Sequence, residues 1–130
     1  MDLDIRILLV EDNQEDAAVT KRVLLHNKLD NNLIIATSGK DALAALQNRS
    51  KEGLPQLILL DINLPDISGI DLLRLIKKDE NLQEIPVVIL TGSNEDQDIQ
   101  KSYDLGAGSY LVKPISNKAL MLVIEKLFYP

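Results

Sequence analysis

The stretch 57–69 constrains the fold of this chain more than any other. It begins with four aliphatic residues and no polar position, which is typical of a strand buried on both faces inside a parallel sheet. The run ends on a carboxylate, Asp61, and the carboxyl ends of parallel strands form the crevice where open α/β sheets bind ligands. Pro65 and Gly69 then break the strand before a helical pattern begins. We therefore expect this stretch to hold one carboxylate at the mouth of a sheet.

The rest of the chain alternates between strand and helix patterns. Aliphatic runs predict strands at 5–10, 33–36, 57–60, 85–90 and 109–112. Helical spacing and capping residues predict helices at about 15–27, 37–48, 70–78 and 93–105, with a last helix that begins at Ser116 or Asn117. Asp12 or Asn13 is the expected N-cap of the first helix. Five strands alternating with five helices imply right-handed crossovers and a parallel sheet covered on both faces.

Composition limits the classes of protein that this chain can belong to. Its 130 residues fit a single domain, and we expect the range 1–130 to carry no effector domain. The absence of cysteine favours a reducing cytoplasm, and the net charge of −6 argues against direct nucleic-acid binding. No apolar segment approaches the roughly 20 residues that span a bilayer. The acidic amino terminus does not fit a secretory signal, so we expect a cytoplasmic protein with no membrane partner.

Chemically distinctive side chains follow four of the predicted strands. They are Glu11, Asp12, Asp61, Thr91 and Lys113. If all strands run parallel, these residues converge on one edge of the sheet. Three crowded carboxylates repel one another, which indicates a bound cation. Oxygen ligands without sulfur or imidazole suit a hard ion, so we predict Mg²⁺.

The same side chains fit a phosphoryl transfer in which Asp61 is the acceptor. A carboxylate can act as a nucleophile and carry a phosphoryl group as an acyl phosphate. The metal, Lys113 and the Thr91 hydroxyl would bind the three equatorial oxygens as charge spreads over them. Gly92 leaves the approach open and offers a backbone N–H.

Four linked motifs resemble the receiver domain of two-component response regulators. They are Leu8-Leu-Val-Glu-Asp12, Leu60-Asp-Ile-Asn-Leu-Pro65 with Gly69, Ile89-Leu-Thr-Gly92 and Tyr110-Leu-Val-Lys-Pro114. The resemblance spans essentially the whole chain. It implies a flavodoxin-like (βα)5 sandwich with strand order 2-1-3-4-5 and a signalling switch that promotes its own phosphorylation and dephosphorylation, rather than a conventional enzyme.

The resemblance also implies roles for individual residues. Asp61 would receive a phosphoryl group from a histidine kinase or phosphotransfer protein. Asp12, Asp61 and the backbone carbonyl of Asn63 would bind Mg²⁺, and Glu11 would reach the ion through water. Asn63 and Ser93 occupy the positions where similar proteins tune the lifetime of the phosphoryl group.

Switching would follow the scheme of similar proteins. Lys113 would contact the phosphoryl group, and its bond to Pro114 is expected to be cis. The Thr91 hydroxyl would move toward the phosphoryl oxygens, and the Tyr110 ring would turn inward into the vacated space. The added charge of about −2 would bias this two-state element and change the surface of the fourth helix, fifth strand and fifth helix.

The last helix carries more apolar residues than one core stripe needs. Three- and four-residue spacing predicts the core stripe at Leu120, Val123, Ile124 and Leu127. Met121 and Phe128 lie at the flank of this stripe, and Leu122 and Tyr129 lie on nearly the opposite side. We expect Met121, Phe128 and Tyr129 to form a symmetric homodimer or to dock a partner. The aromatic tail and the segments 53–56 and 94–96 also resemble the receivers paired with phytochrome-type kinases.

Three other functions fit parts of the pattern. A flavodoxin-like FMN domain needs a Ser/Thr/Gly-rich phosphate loop after the first strand, where this chain has Glu11 and Asp12. A phosphatase with an aspartyl nucleophile needs a second acid where this chain has Asn63. A degenerate receiver would bind partners without phosphorylation, which the complete set of strand-end residues disfavours.

Overall fold

The computed structural model describes residues 4–47, 50, 53–92 and 96–129, and in them it forms one parallel sheet with helices on both faces. The strands are β1 (Arg6–Val10), β2 (Asn32–Ala36), β3 (Leu57–Asp61), β4 (Val87–Thr91) and β5 (Ser109–Val112). The helices are α1 (Gln14–His26), α2 (Gly39–Leu46), α3 (Gly69–Lys78), α4 (Asp96–Asp104) and α5 (Asn117–Phe128). The strand order is β2-β1-β3-β4-β5 and each neighbouring pair is parallel, which confirms the predicted fold class.

The two central strands, β3 and β4, are buried at every position. Successive side chains of a strand point to opposite faces, so each strand contributes to two separate cores. Leu60 and Ile89 belong to the core that packs against α2 and α3. Leu59 and Leu90 belong to the core that packs against α1 and α5. Burial on both faces explains why these strands contain uninterrupted aliphatic runs.

The edge strands are more exposed. In β2, Ile34 and Ile35 are 42% and 39% exposed although they point to opposite faces. In β5, Leu111 is buried and its neighbours are half-buried. The partial exposure follows from position, because an edge strand has a neighbour on one side only.

Four helices begin with a side-chain cap. The capping residues Asn13, Ser38, Ser68 and Ser116 each accept a hydrogen bond from the N–H three residues later. Of the two candidates at the first helix, the structure uses Asn13. The second helix begins at Gly39 rather than at Thr37, because Ser38 has the extended backbone of a cap. Its predicted end at Asn48 and the predicted cap Ser93 lie outside the described residues.

The fourth strand begins two residues later than predicted, at Val87 instead of Ile85. Pro86 has no N–H to donate to the ladder, so regular pairing begins after it. Its carbonyl still accepts a hydrogen bond from the Ile58 N–H at 3.0 Å. In the part of the chain that the structure describes, no helix is both long enough and apolar enough to cross a bilayer.

Candidate functional site

The predicted site residues gather at one edge of the sheet. The register pairs Asp61 with Leu90 and Thr91 with Val112, so the ends of β3, β4 and β5 are level. Glu11 follows β1, and its backbone N–H donates to the Ala36 carbonyl at 2.9 Å, which extends the β1–β2 ladder to the site.

The ammonium group of Lys113 lies among three carboxylates. Its Nζ is 2.6 Å from Glu11 Oε1, 3.0 Å from Asp16 Oδ2 and 3.3 Å from Asp61 Oδ2. The side chains of Glu11, Asp61 and Lys113 are nearly buried, whereas that of Asp16 is 41% exposed. The sequence did not predict Asp16 as a site residue.

Glu11, Asp12 and Asp61 form an acidic cluster whose potential ligand oxygens all lie within 4.8 Å of one another. Glu11 and Asp61 are buried and Asp12 is exposed, so the cluster is open on one side. Glu11 Oε1 touches the Lys113 ammonium but accepts no hydrogen bond of good geometry. One cation for several crowded carboxylates leaves the negative charge incompletely balanced, and this donor set fits a hard divalent metal ion.

Burial and charge shift two pKa values at this site. Burial, together with the hydrogen bond and charge of Asp61, raises the pKa of Glu11 to about 7 in the metal-free protein. Burial disfavours the charged form of Lys113, but contacts with Glu11 and Asp16 and the charge of Asp61 outweigh it. The pKa of Lys113 is therefore raised, and its side chain is a permanent cation.

The backbone after β3 fixes the position of Asp61. The Asn63 N–H donates to Asp61 Oδ1 at 3.1 Å, and the Gly69 N–H donates to the Ile62 carbonyl at 2.8 Å. A Cβ on Gly69 would lie 2.3 Å from the Asp61 carbonyl oxygen and 2.6 Å from Ile62 Cα. Only glycine fits where the start of α3 approaches the end of β3 this closely.

The loop between β3 and α3 is also hydrogen-bonded to the start of α2. The sequence did not predict this contact. Asp66 Oδ1 accepts a hydrogen bond from the Gly39 N–H, and Oδ2 accepts one from the Lys40 N–H, both at 2.8 Å. These backbone hydrogen bonds, with that of Gly39 the strongest, lower the pKa of Asp66. A carboxylate at the amino end of a helix is favoured by the orphan N–H groups and the helix dipole.

The two predicted switch residues lie on adjacent strands. Thr91 is 4% exposed, and its carbonyl accepts a hydrogen bond from the Lys113 N–H at 2.7 Å. The half-buried Tyr110 ring meets Tyr103 of α4 edge to face, with ring centroids 6.2 Å apart and an interplanar angle of 83°. The Lys113–Pro114 peptide bond is cis, as the resemblance implied.

The predicted interface residues of α5 differ in exposure. Met121 and Phe128 are half-buried because they pack against the molecule's own core beneath α5. Tyr129 is 52% exposed, and Leu122 on the same side of the helix is 57% exposed. The exposed apolar surface of α5 is therefore centred on Leu122 and Tyr129.

A five-stranded α/β sandwich with an acidic cluster and a lysine at the carboxyl edge of its sheet defines the receiver class of protein. The chain matches the family model of the response regulator receiver domain over residues 7–125, and it belongs to that family. Receiver domains are the phosphate-accepting modules of two-component systems, in which histidine kinases are the donors. They bind Mg²⁺ or Mn²⁺ in an acidic pocket.

Within this family, the chain is similar to the response regulators Rcp1, AtBRR and RcpA. It is 39% identical over 122 residues to response regulator Rcp1 of Synechocystis, covering 92% of this chain and 83% of Rcp1. A crystal structure of Rcp1 in its Mn²⁺-bound form superposes with a TM-score of 0.78, covering 96% of this chain and 94% of that chain. The bacteriophytochrome response regulator AtBRR has 36% identity and a TM-score of 0.83, with 97% of this chain and 94% of that chain covered. The phosphorylated cyanobacterial phytochrome response regulator RcpA has 34% identity and a TM-score of 0.80, with the same coverage.

Proposed function

We propose that Asp61 accepts a phosphoryl group from a histidine kinase or phosphotransfer protein, and that phosphorylation switches the signalling surface of this domain. The observation that supports this most directly is the approach of Lys113 Nζ to within 3.3 Å of Asp61 Oδ2 inside the acidic cluster. Nucleophile, fixed cation and potential metal ligands are thereby assembled on one edge of the sheet. The solved structure of phosphorylated RcpA, a relative of similar fold, supports the same chemistry.

The proposed transfer moves a phosphoryl group from a donor to Asp61 without any change of oxidation state. A carboxylate oxygen of Asp61 forms the P–O bond while the P–N bond of phosphohistidine breaks, and the electron pair leaves with the imidazole nitrogen. The Asn63 N–H holds Asp61 Oδ1, and Lys113 donates to a phosphoryl oxygen as charge develops there. Both donors are positioned before the reaction begins.

Asp12, Asp61 and the Asn63 carbonyl would hold Mg²⁺, with Glu11 reaching it through water. The buried Glu11 Oε1, which accepts no hydrogen bond of good geometry, and the clustering of three carboxylates support a divalent cation at this place. When bound, the ion neutralises phosphoryl oxygens that the acids alone would repel.

Intact mass measurement tests the proposal. We expect the wild-type protein, incubated with Mg²⁺ and a small phosphodonor such as acetyl phosphate, to gain the mass of one phosphoryl group. Asp61→Asn should gain none, whereas Asp104→Asn, which removes an exposed acid that accepts a hydrogen bond from Gln100, should react like the wild type. Equal labelling of Asp61→Asn would refute the assignment of the acceptor. A wild type that never labels would indicate a receiver that acts without phosphorylation.

The switch that we propose runs from Thr91 to Tyr110. The edge contact between Tyr110 and Tyr103 is expected to change when the Tyr110 ring moves inward. Beryllofluoride with Mg²⁺, a phosphoryl mimic, should shift the ring resonances of both tyrosines in NMR spectra. The same addition to Asp61→Asn should leave them in place; a shift there would separate the ring movement from phosphorylation.

A phytochrome-type kinase is the donor that we propose. The similarity to AtBRR and RcpA, both named as phytochrome response regulators, supports this choice. Phosphotransfer from a purified phytochrome-type kinase should be at least tenfold faster than from an unrelated histidine kinase. Equal rates from the two kinases would contradict the pairing.

A further inference from the structure

Asp16 approaches the proposed reaction centre although it is not a member of the acidic cluster formed by Glu11, Asp12 and Asp61. Its Oδ2 is 3.0 Å from Lys113 Nζ and accepts a hydrogen bond from it, at a shorter distance than that between Nζ and Asp61. The two residues are 97 positions apart in the chain, so this contact joins the first helix to the end of β5.

At the start of α1, the backbone of Asp16 completes the helix cap, which leaves its side chain free for another contact. Its backbone N–H donates to the Asn13 side chain at 2.9 Å, which is the cap itself. An acid at this position commonly turns back to the N–H of the capping residue. Here the Asn13 N–H faces Glu11 Oε2 at 3.4 Å, and the Asp16 carboxylate is directed to Lys113.

We infer that Asp16 is a positioning residue that restrains Lys113 in the resting protein and thereby slows phosphoryl acceptance at Asp61. The inference rests on the proposed function. The Lys113 ammonium donates a hydrogen bond to Asp16 and lies beside Glu11 and Asp61 at ion-pair distances. A phosphoryl group on Asp61 needs this ammonium to turn toward its oxygens, so Asp16 competes with it for the position of Nζ. Asp16 also adds negative charge beside an entering anionic phosphodonor.

A change at Glu15 can distinguish a role of Asp16 in stabilising α1 from its proposed role in restraining Lys113. Both residues are acids in the first turn of α1, where a negative charge favours the helix dipole. Glu15 is exposed and makes no ion pair among the described residues, so Glu15→Gln removes the same charge from the same turn without freeing Lys113.

The test compares initial phosphorylation rates with acetyl phosphate at saturating Mg²⁺, followed by intact mass. Asp16→Asn should react about two- to fivefold faster than the wild type, the range expected for loss of a half-exposed ion pair. Its affinity for beryllofluoride should rise by a similar factor. Glu15→Gln should match the wild type in both measurements, and Asp16→Glu, which restores the carboxylate, should return toward the wild-type rate.

A second measurement does not depend on phosphorylation or on metal. In metal-free protein, the effects of Asp16→Asn and Lys113→Gln on the urea midpoint should not add, whereas those of Glu15→Gln and Lys113→Gln should add. An unchanged or slower rate in Asp16→Asn, or additive midpoints for the Asp16 and Lys113 changes, would overturn the inference. A wild-type protein that is not phosphorylated at all would instead overturn the proposed function.

Discussion

Lys113 and Gly69 both influence Asp61, Lys113 through its charge and Gly69 through the space that its missing side chain leaves. Lys113 places a cation beside the carboxylate, where burial makes the interaction stronger than at an exposed site. Gly69 lets the first turn of α3 lie against the backbone of the aspartate. Changing either residue should therefore affect phosphoryl acceptance, but by different physical routes.

Replacing Gly69 with alanine should displace the Asp61 backbone. The added Cβ would lie 2.3 Å from the Asp61 carbonyl oxygen, so the β3–α3 connection must shift. We expect a loss of about 1–3 kcal/mol in the free energy of unfolding, measured with urea, and slower phosphorylation. Gly92→Ala is the matched control, because a Cβ there would meet no described atom within 4 Å, and its effect should stay within about 0.5 kcal/mol. Equal losses in the two variants would contradict the steric explanation.

At the scale of residues, the sequence predicted side chains that follow strands and missed those that reach the site from elsewhere. Glu11, Asp61 and Lys113 were predictable because parallel strands end at one edge. Asp16 was not, because an acid in a first helical turn is already explained by the helix. Asp66 was missed for a similar reason: an acid between Pro65 and Gly69 is typical of a turn, and its partners at the start of α2 are distant in sequence.

Among the elements, the β3–α3 loop and α2 are coupled through one carboxylate. Asp66 receives two N–H groups from the start of α2, and its pKa is lowered in the folded protein. A lowered pKa means that the stabilisation is present above the unfolded value of about 4 and is lost as the pH falls through the folded value.

The pH dependence of Asp66→Asn follows from this sign. At pH 7 the variant should be less stable to urea than the wild type, because an amide oxygen accepts these hydrogen bonds more weakly than a carboxylate does. At about pH 3 the difference should shrink, since Asp66 is then increasingly protonated in the wild type. Asp104→Asn should show little difference at pH 7, because its exposed carboxylate accepts a hydrogen bond from another exposed side chain, that of Gln100. A difference for Asp66→Asn that stays constant from pH 7 to pH 3 would contradict the proposed coupling.

The boundaries of helices and strands were predicted correctly where a capping residue or a glycine marks them. Ser116 and β5 lie where the sequence indicated, because a capping serine and a glycine-bounded run are strong signals. The start of β4 was wrong by two residues, since an aliphatic run continues through Ile85 although the ladder cannot use the Pro86 nitrogen.

For the whole molecule, the alternation of strands and helices predicts a parallel sheet but leaves several strand orders possible. The buried runs of β3 and β4 place these strands in the centre. The positions of β2 and β5 at the edges came from the family resemblance, because their short half-exposed patterns do not reveal which neighbour each one pairs with.

Metal binding should stabilise the whole domain. At a free Mg²⁺ concentration of 100 times the Kd, we expect the free energy of unfolding to rise by about 2.7 kcal/mol. Asp12→Asn should abolish most of this gain and, without metal, should be at least as stable as the wild type, because it relieves repulsion in the cluster. Glu15→Gln should keep the full gain. A gain retained in Asp12→Asn would place the ion elsewhere.

Self-association should depend on the exposed side of α5. We propose that this face forms a homodimer, so the combined change Leu122→Ser and Tyr129→Ser should raise the dimer Kd about tenfold or more. Leu25→Ser on α1 is a matched control, because Leu25 and Leu122 are both 57% exposed. Light scattering with and without beryllofluoride measures the outcome, and a wild-type protein that is monomeric in both states would contradict the proposal.

The edge-to-face pair of Tyr103 and Tyr110 also has an optical consequence. The chain has three tyrosines, one phenylalanine and no tryptophan, so its ultraviolet emission on excitation near the tyrosine absorption band comes from the phenol rings. Two of these rings touch across the proposed switch, and the third, Tyr129, stands on the exposed side of α5. The domain therefore carries its own fluorescent reporters, and a change at the switch or at that helix can be followed in real time without attaching a dye.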